Sequence, residues 1–133
     1  MNHAPVKTAL LAYGMSGEIF HAPLLTSLPE FELHSVVERR SQKAGLRYAG
    51  VRSAKNVDQV MDDPDVELVV VNTPNESHFE FTERALENGK HVVVEKPFTV
   101  TPNEAERLIS LSKVMGRTLT VFQTGGGTAT SLR

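Results

Sequence analysis

The 133-residue sequence contains no cysteine, which excludes disulfides, thiolate nucleophiles and cysteine-ligated metals, and which fits a reducing compartment. It also lacks an excess of charge of either sign: 14 lysines and arginines stand against 16 aspartates and glutamates, so no one-signed field gathers nucleic acid or an anionic membrane. No apolar run approaches the length of a membrane span, and the opening Met-Asn-His-Ala-Pro has no basic region leading into an apolar one. These absences lead to the expectation of a soluble cytoplasmic protein with neither nucleic acid nor membrane as partner. Ordinary apolar and charged fractions, 40% and 23%, suit one folded domain with a modest core.

The chemistry gathers at Glu95-Lys96-Pro97, which follows the apolar run His91-Val92-Val93-Val94. A charged pair after three valines reads as the carboxyl end of a buried parallel strand, the edge where open α/β sheets place their sites. A partly desolvated lysine there can exchange protons or polarise a substrate oxygen, which makes Lys96 the candidate catalytic residue. A solvated surface turn is the competing reading of the tripeptide.

Upstream, Val6 to Ala12 reads as a first strand that breaks at Ala12-Tyr13-Gly14-Met15-Ser16-Gly17 before a helical stretch bending at Pro23. The spacing is that of the dinucleotide fingerprint with its first glycine replaced by Ala12. Gly14 is retained where backbone meets pyrophosphate, and Gly17 where helix packs on strand. Backbone N–H groups opening the helix would then receive the anion. The second strand, Phe31 to Val37, ends on Glu38, about twenty residues beyond the glycines, where the fingerprint expects an acid for the ribose hydroxyls. Glu38 alone favours NAD, whereas Arg39 and Arg40 can pair with a 2'-phosphate, so the choice between NAD and NADP stays open.

Further strands are expected near Val51, at Val66 to Val71 and at Leu119 to Phe122, with short helices over 42–48 and 57–61. The strand ending at Val71 runs into the polar turn Asn72-Thr73-Pro74-Asn75, and a helix follows from Ser77 and His78 to Asn88-Gly89, with Asn75 as its cap. For His78, a contact on the nicotinamide side competes with packing at the helix end. Thr101-Pro102-Asn103-Glu104 is a helix start with cap, first-turn proline and capping-box acid. The alternation predicts an α/β, Rossmann-type, doubly wound and mostly parallel sheet with helices on both faces.

Taken together, these residues resemble the amino-terminal domain of the Gfo/Idh/MocA oxidoreductase family, and most closely the members reading Gly-Met-Ser-Gly and Phe-His-Ala-Pro-Leu, here Gly14 to Gly17 and Phe20 to Leu24. The resemblance runs from Val6 to Gln123. It implies an NAD(P)-dependent oxidoreductase passing hydride to or from a polyol, sugar or related hydroxyl or keto compound, with Lys96 matching the family's catalytic lysine. The cofactor-binding positions it implies are Ala12, Gly14, Met15, Ser16, Gly17, Glu38, Arg39, Thr73, Pro74, Asn75, His78, Glu95, Lys96 and Pro97, with no metal.

The family continues into a substrate domain that carries further catalytic residues and commonly the oligomer surface. Here residues 124–133 form a Gly/Thr-rich tail without family match, read as flexible in preference to a phosphate loop because no lysine follows its glycines. Relatives of this subgroup often continue with a peptide that codons for this tail would encode in the neighbouring reading frame. The resulting expectation is a frameshifted, truncated enzyme: a dinucleotide-binding domain over 1–123, the substrate domain absent, and the chain alone not catalytically competent. The alternative is an inactive dinucleotide-binding or protein-interaction module.

Overall fold

A computed structural model of the chain describes residues 4–14, 16–98 and 101–122, and the backbone of 130–132. The first strand, β1 (Val6–Leu10), is followed by a π-helical stretch, Ser16–His21, that runs into α1 (Ala22–Ser27). Pro23 falls in the first turn of α1, where its missing N–H costs nothing, so the expected bend appears as a change of helix type at His21. Next come β2 (Phe31–Val37), α2 (Lys43–Arg47), β3 (Arg52–Ala54), α3 (Val57–Met61) and β4 (Leu68–Val71). A single 3-10 turn, Asn75–Ser77, leads into α4 (His78–Glu87); then follow β5 (His91–Glu95), α5 (Pro102–Met115) and β6 (Leu119–Phe122).

Asn75 therefore opens the short turn and does not cap α4, whose preceding residue, Ser77, makes no side-chain cap bond. By contrast, Thr101 caps α5 as expected, its Oγ1 accepting from the Glu104 N–H at 3.2 Å, and Gly116 closes the helix in the left-handed conformation at φ 67°.

Strands lie in the order β3-β2-β1-β4-β5-β6, all parallel, with the chain crossing over between β1 and β4. That crossover opens a crevice at the carboxyl ends of β1 and β4, the usual ligand position in such sheets. Beyond β6, Thr130–Leu132 forms β7, antiparallel to β6. The tail was expected to be flexible with no further strand; its last residues instead pair with the open edge of β6, whose unpaired backbone groups would otherwise need water. The glycines of the tail lie outside the described residues.

Residue alternation sorts the core into two faces. Leu10, Val36 and Val70 pack with Ala22 and Leu25 of α1 and Ala44 of α2. On the other face Ala9, Leu11, Val69, Val71, Val92 and Val94 pack against α3, α4 and α5 through residues such as Val60, Leu86 and Leu108. Val93 faces the α1 side, so Glu95, two residues on, points towards the stretch that follows the glycine turn. Among the described residues, no helix is long and apolar enough to cross a membrane.

Candidate functional site

Three turns meet along the carboxyl edge of the sheet: 12–17 after β1, Thr73–Pro74 after β4, and Lys96–Pro97 after β5. The first is fastened to the second by Asn72, which is buried. Its Oδ1 accepts from the Ala12 N–H at 3.0 Å and its Nδ2 donates to the Ala12 carbonyl at 2.8 Å. Both backbone groups of the residue standing in for the first fingerprint glycine are thereby satisfied.

The two retained glycines differ in what surrounds them. A Cβ on Gly17 would sit 2.5 Å from the Ala12 carbonyl oxygen and 3.0 Å from Asn72 Nδ2, so only glycine lets the helix come this close to β1. A Cβ on Gly14 would meet nothing within 4 Å. Gly14 is exposed, and its carbonyl accepts from the Glu18 N–H at 2.9 Å. Met15 lies outside the described residues. Ser16 opens the helical stretch.

A cleft of about 400 Å³ extends from this turn towards β2, lined by Ala12, Tyr13, Glu38, Arg39, Thr73 and Pro74 together with neighbouring residues. An adjoining recess of about 340 Å³ shares Glu38, Arg39 and Ser41 and adds Arg40, Gln42 and Lys55. Glu38 itself is buried. Its carboxylate accepts from the Lys43 and Ala44 N–H groups at 3.0 and 3.1 Å and from the Ser41 and Ser53 hydroxyls at 3.0 and 3.2 Å. It thus closes the open amino end of α2 and spends four acceptor positions on the protein itself. Arg39 and Arg40 remain exposed at the rim.

The third turn lies one strand further along the sheet and does not line that cleft. Lys96 is exposed, its N–H donating to the Phe122 carbonyl at 2.9 Å, and the Lys96–Pro97 peptide is cis. Glu95 is met by His21, which the sequence reading did not single out. His21 Nε2 lies 2.7 Å from Glu95 Oε2, with the side chains 5% and 15% exposed. The His21 ring also packs edge-on against Phe20 and tilted against Phe122.

His78 is buried, with Nδ1 2.7 Å from the Pro97 carbonyl oxygen and Nε2 2.8 Å from the Thr73 carbonyl oxygen, so each ring nitrogen lies against a backbone carbonyl. It joins the second and third turns from below. Asn75 is exposed beside them, and Thr73 Oγ1 shares a 2.6 Å hydrogen bond with Ser77 Oγ. Among the described residues, no group of three His, Asp or Glu side chains is placed to hold a metal ion.

Comparison with known proteins agrees with this arrangement. The model of the Gfo/Idh/MocA oxidoreductase family, NAD-binding Rossmann fold, matches residues 6–123. An uncharacterised oxidoreductase of Schizosaccharomyces pombe is 43% identical over 90% of this chain and 34% of its own length. The scyllo-inositol 2-dehydrogenase (NADP+) of Bacillus subtilis is 35% identical over 88% of this chain and 33% of its own. The chain thus spans about a third of the length of the curated relatives it matches. Among solved structures, one from Bacteroides fragilis superposes with a TM-score of 0.89 at 45% identity, covering 91% of this chain and 38% of that one. A 3-ketoreductase from Actinomadura kijaniata, crystallised with NADP and TDP-benzene, superposes at 0.84 with 28% identity, covering 88% and 37%. With its six parallel strands in Rossmann order and its glycine turn at the switch point, the chain belongs to the Gfo/Idh/MocA oxidoreductase family and is its NAD(P)-binding Rossmann domain.

Proposed function

We propose that this domain binds NADP in preference to NAD and serves a hydride transfer to or from a polyol, sugar or related hydroxyl or keto compound, with Lys96 as the catalytic cation beside the nicotinamide. The observation that carries the cofactor choice is the carboxylate of Glu38. A ribose-binding acid must offer free acceptor positions, and those of Glu38 are committed to the amino end of α2. Arg39 and Arg40 then dominate the rim, where a 2'-phosphate would meet charge-assisted donors. The relatives named for NADP+ and crystallised with NADP support the same choice.

In this reading Gly14 lets the pyrophosphate approach the backbone, and Thr73–Pro74 forms the wall between the adenosine and nicotinamide ends. The chemistry of hydride transfer is the cofactor's, and the chain supplies binding, orientation and one positive charge. A substrate carbon must also be held against the nicotinamide, a positioning effect worth many orders of magnitude in rate. The curated relatives are about three times as long as the part this chain matches, and in a protein of that length such a wall can come from the remainder. The isolated chain is therefore expected to bind NADPH without turnover of polyols, sugars or their keto forms. In a full-length protein carrying this domain, Lys96→Ala should lower kcat by roughly a hundredfold or more while cofactor binding persists. Near-normal turnover by that variant would remove Lys96 from the chemistry, and turnover by the isolated chain would make a second domain dispensable.

A further inference from the structure

Lys96 is exposed and its side chain is long and flexible, yet the residues on either side of it are both held from beneath by buried histidines. On one side, the Glu95 carboxylate meets Nε2 of His21 at 2.7 Å. On the other, the Pro97 carbonyl meets Nδ1 of His78 at 2.7 Å, while the second nitrogen of that ring reaches the Thr73 carbonyl at 2.8 Å. His21 and His78 are 4% and 1% exposed, and they belong to different elements, one ending the stretch after the glycine turn and the other opening α4.

We propose that His21 and His78 are positioning residues for Lys96, gripping Glu95 and Pro97 so that the lysine leaves the sheet edge in one direction. Two arguments converge. Glu95 and Lys96 are adjacent and oppositely charged, and a carboxylate free to turn would neutralise the ammonium it neighbours; His21 gives that carboxylate a partner on the α1 face instead. Pro97 offers no N–H, so its carbonyl is the one backbone hydrogen-bonding group by which that residue can be tied, and His78 takes it. A neutral imidazole serves one of the two carbonyls at a time and the protonated ring serves both; in either state it links the turn after β4 to the turn after β5. The glycine turn, the Thr73 turn and Lys96 are thereby set relative to one another by two buried side chains. The π-helical geometry at Ser16–His21 fits this role, since a widened turn re-aims the residue that follows it, and such turns recur at functional sites.

The proposal rests on the reading of Lys96 as the cation beside the nicotinamide, and two readouts keep the two apart. The first needs no nucleotide: with its lysines reductively ¹³C-methylated, the chain gives one methyl line for Lys96, identified by its loss in Lys96→Met. His21→Phe and His78→Leu should each move that line while the lines of the remote Lys43, Lys55 and Lys113 stay in place. An unmoved Lys96 line in either variant, or a shift of all the lines together, overturns the proposal. Should a variant fail to fold, His21→Ala and His78→Ala, which remove the ring nitrogens altogether, take its place under the same expectations.

The second readout is the affinity ratio of NADPH to NADP+. A cation beside the nicotinamide favours the neutral reduced ring over the positive oxidised one, and the adenosine half cancels. Lys96→Met should lower this ratio roughly two- to fivefold, the scale of one partly solvated charge interaction; no change there overturns the nicotinamide reading while leaving the first readout to decide the positioning. The histidine variants should lower it in the same direction and add nothing once Lys96 is gone. They should leave the affinity for 2'-phospho-ADP-ribose, which lacks the nicotinamide, unaltered. Additive losses, or an equal loss for that truncated ligand, would make the histidines general supports of the fold and overturn the proposal.

Discussion

At the β2 end of the crevice the carboxylate of Glu38 is held by residues 41, 43 and 44, close by in the chain, and by Ser53 on the neighbouring strand. At the β5 end Glu95 is held by His21, 74 residues away, and Pro97 by His78, 19 residues away. Both ends carry an acid at a strand terminus, but one is fixed mainly by a helix that follows it and the other by elements that arrive from elsewhere in the fold. The difference teaches that an acidic residue's position in a motif and the contacts the fold gives it are separate signals. Spacing puts Glu38 where a ribose acceptor is expected, and in the fold its carboxylate accepts from the amino end of α2.

The comparison is broken most severely where the two ends meet. Gly17→Val drives a side chain into the Ala12 carbonyl and the Asn72 amide, and should destabilise the fold by about 3 kcal/mol or more, seen in urea denaturation. Gly14→Val, whose Cβ enters open space, should change stability by less than about 0.5 kcal/mol yet abolish NADPH binding in a calorimetric titration. Equal destabilisation by both would mean that the turn has no separate ligand face.

A smaller effect sharpens the β2 end alone. Glu38→Ala leaves two backbone N–H groups and two hydroxyls without their acceptor and should cost roughly 1–3 kcal/mol in the same denaturation experiment. A merely ribose-binding Glu38 would leave the unliganded stability unchanged.

The smallest effect sits at the amino end of β5, opposite Glu95. His91 is held below its ordinary 6.5 chiefly by burial and then by the nearby Arg117, and its Nδ1 accepts from the Thr118 N–H at 2.9 Å. The unfolded chain therefore binds a proton there more readily than the folded one, so this contribution to stability is complete above pH 6.5 and is lost as the pH falls through the folded value. Replacing His91 by Gln should flatten that part of the stability profile on the acid side. An unchanged slope would assign it to other groups.

Much of the fold was legible because its signals are local. Phe31–Val37, Val57–Met61 and Leu119–Phe122 stand where runs of β-formers and helical spacing put them, and Thr101-Pro102-Asn103-Glu104 caps α5 through a bond three residues long. The site was legible as three turns but not as a network. Asn72 reads as one polar residue in a turn, and nothing local says that it clasps Ala12 across 60 residues. His21 sits in a helical stretch where any histidine passes for packing, and only the approach of β5 gives it Glu95. Asn75 was legible as a helix-start residue, but the chain inserts a 3-10 turn before α4, so the cap position shifts to Ser77.

The most direct test of the account is a calorimetric titration of the 133-residue chain with NADPH and with NADH, repeated on Arg39→Ala. NADPH should bind the wild-type chain about tenfold more tightly or better, the scale of charge-assisted contacts to one phosphate, and Arg39→Ala should erase most of that advantage by weakening NADPH alone. Equal affinities in the wild-type chain, or tighter NADH, would contradict the reading that Glu38 is committed to α2 and that the arginine rim selects the cofactor.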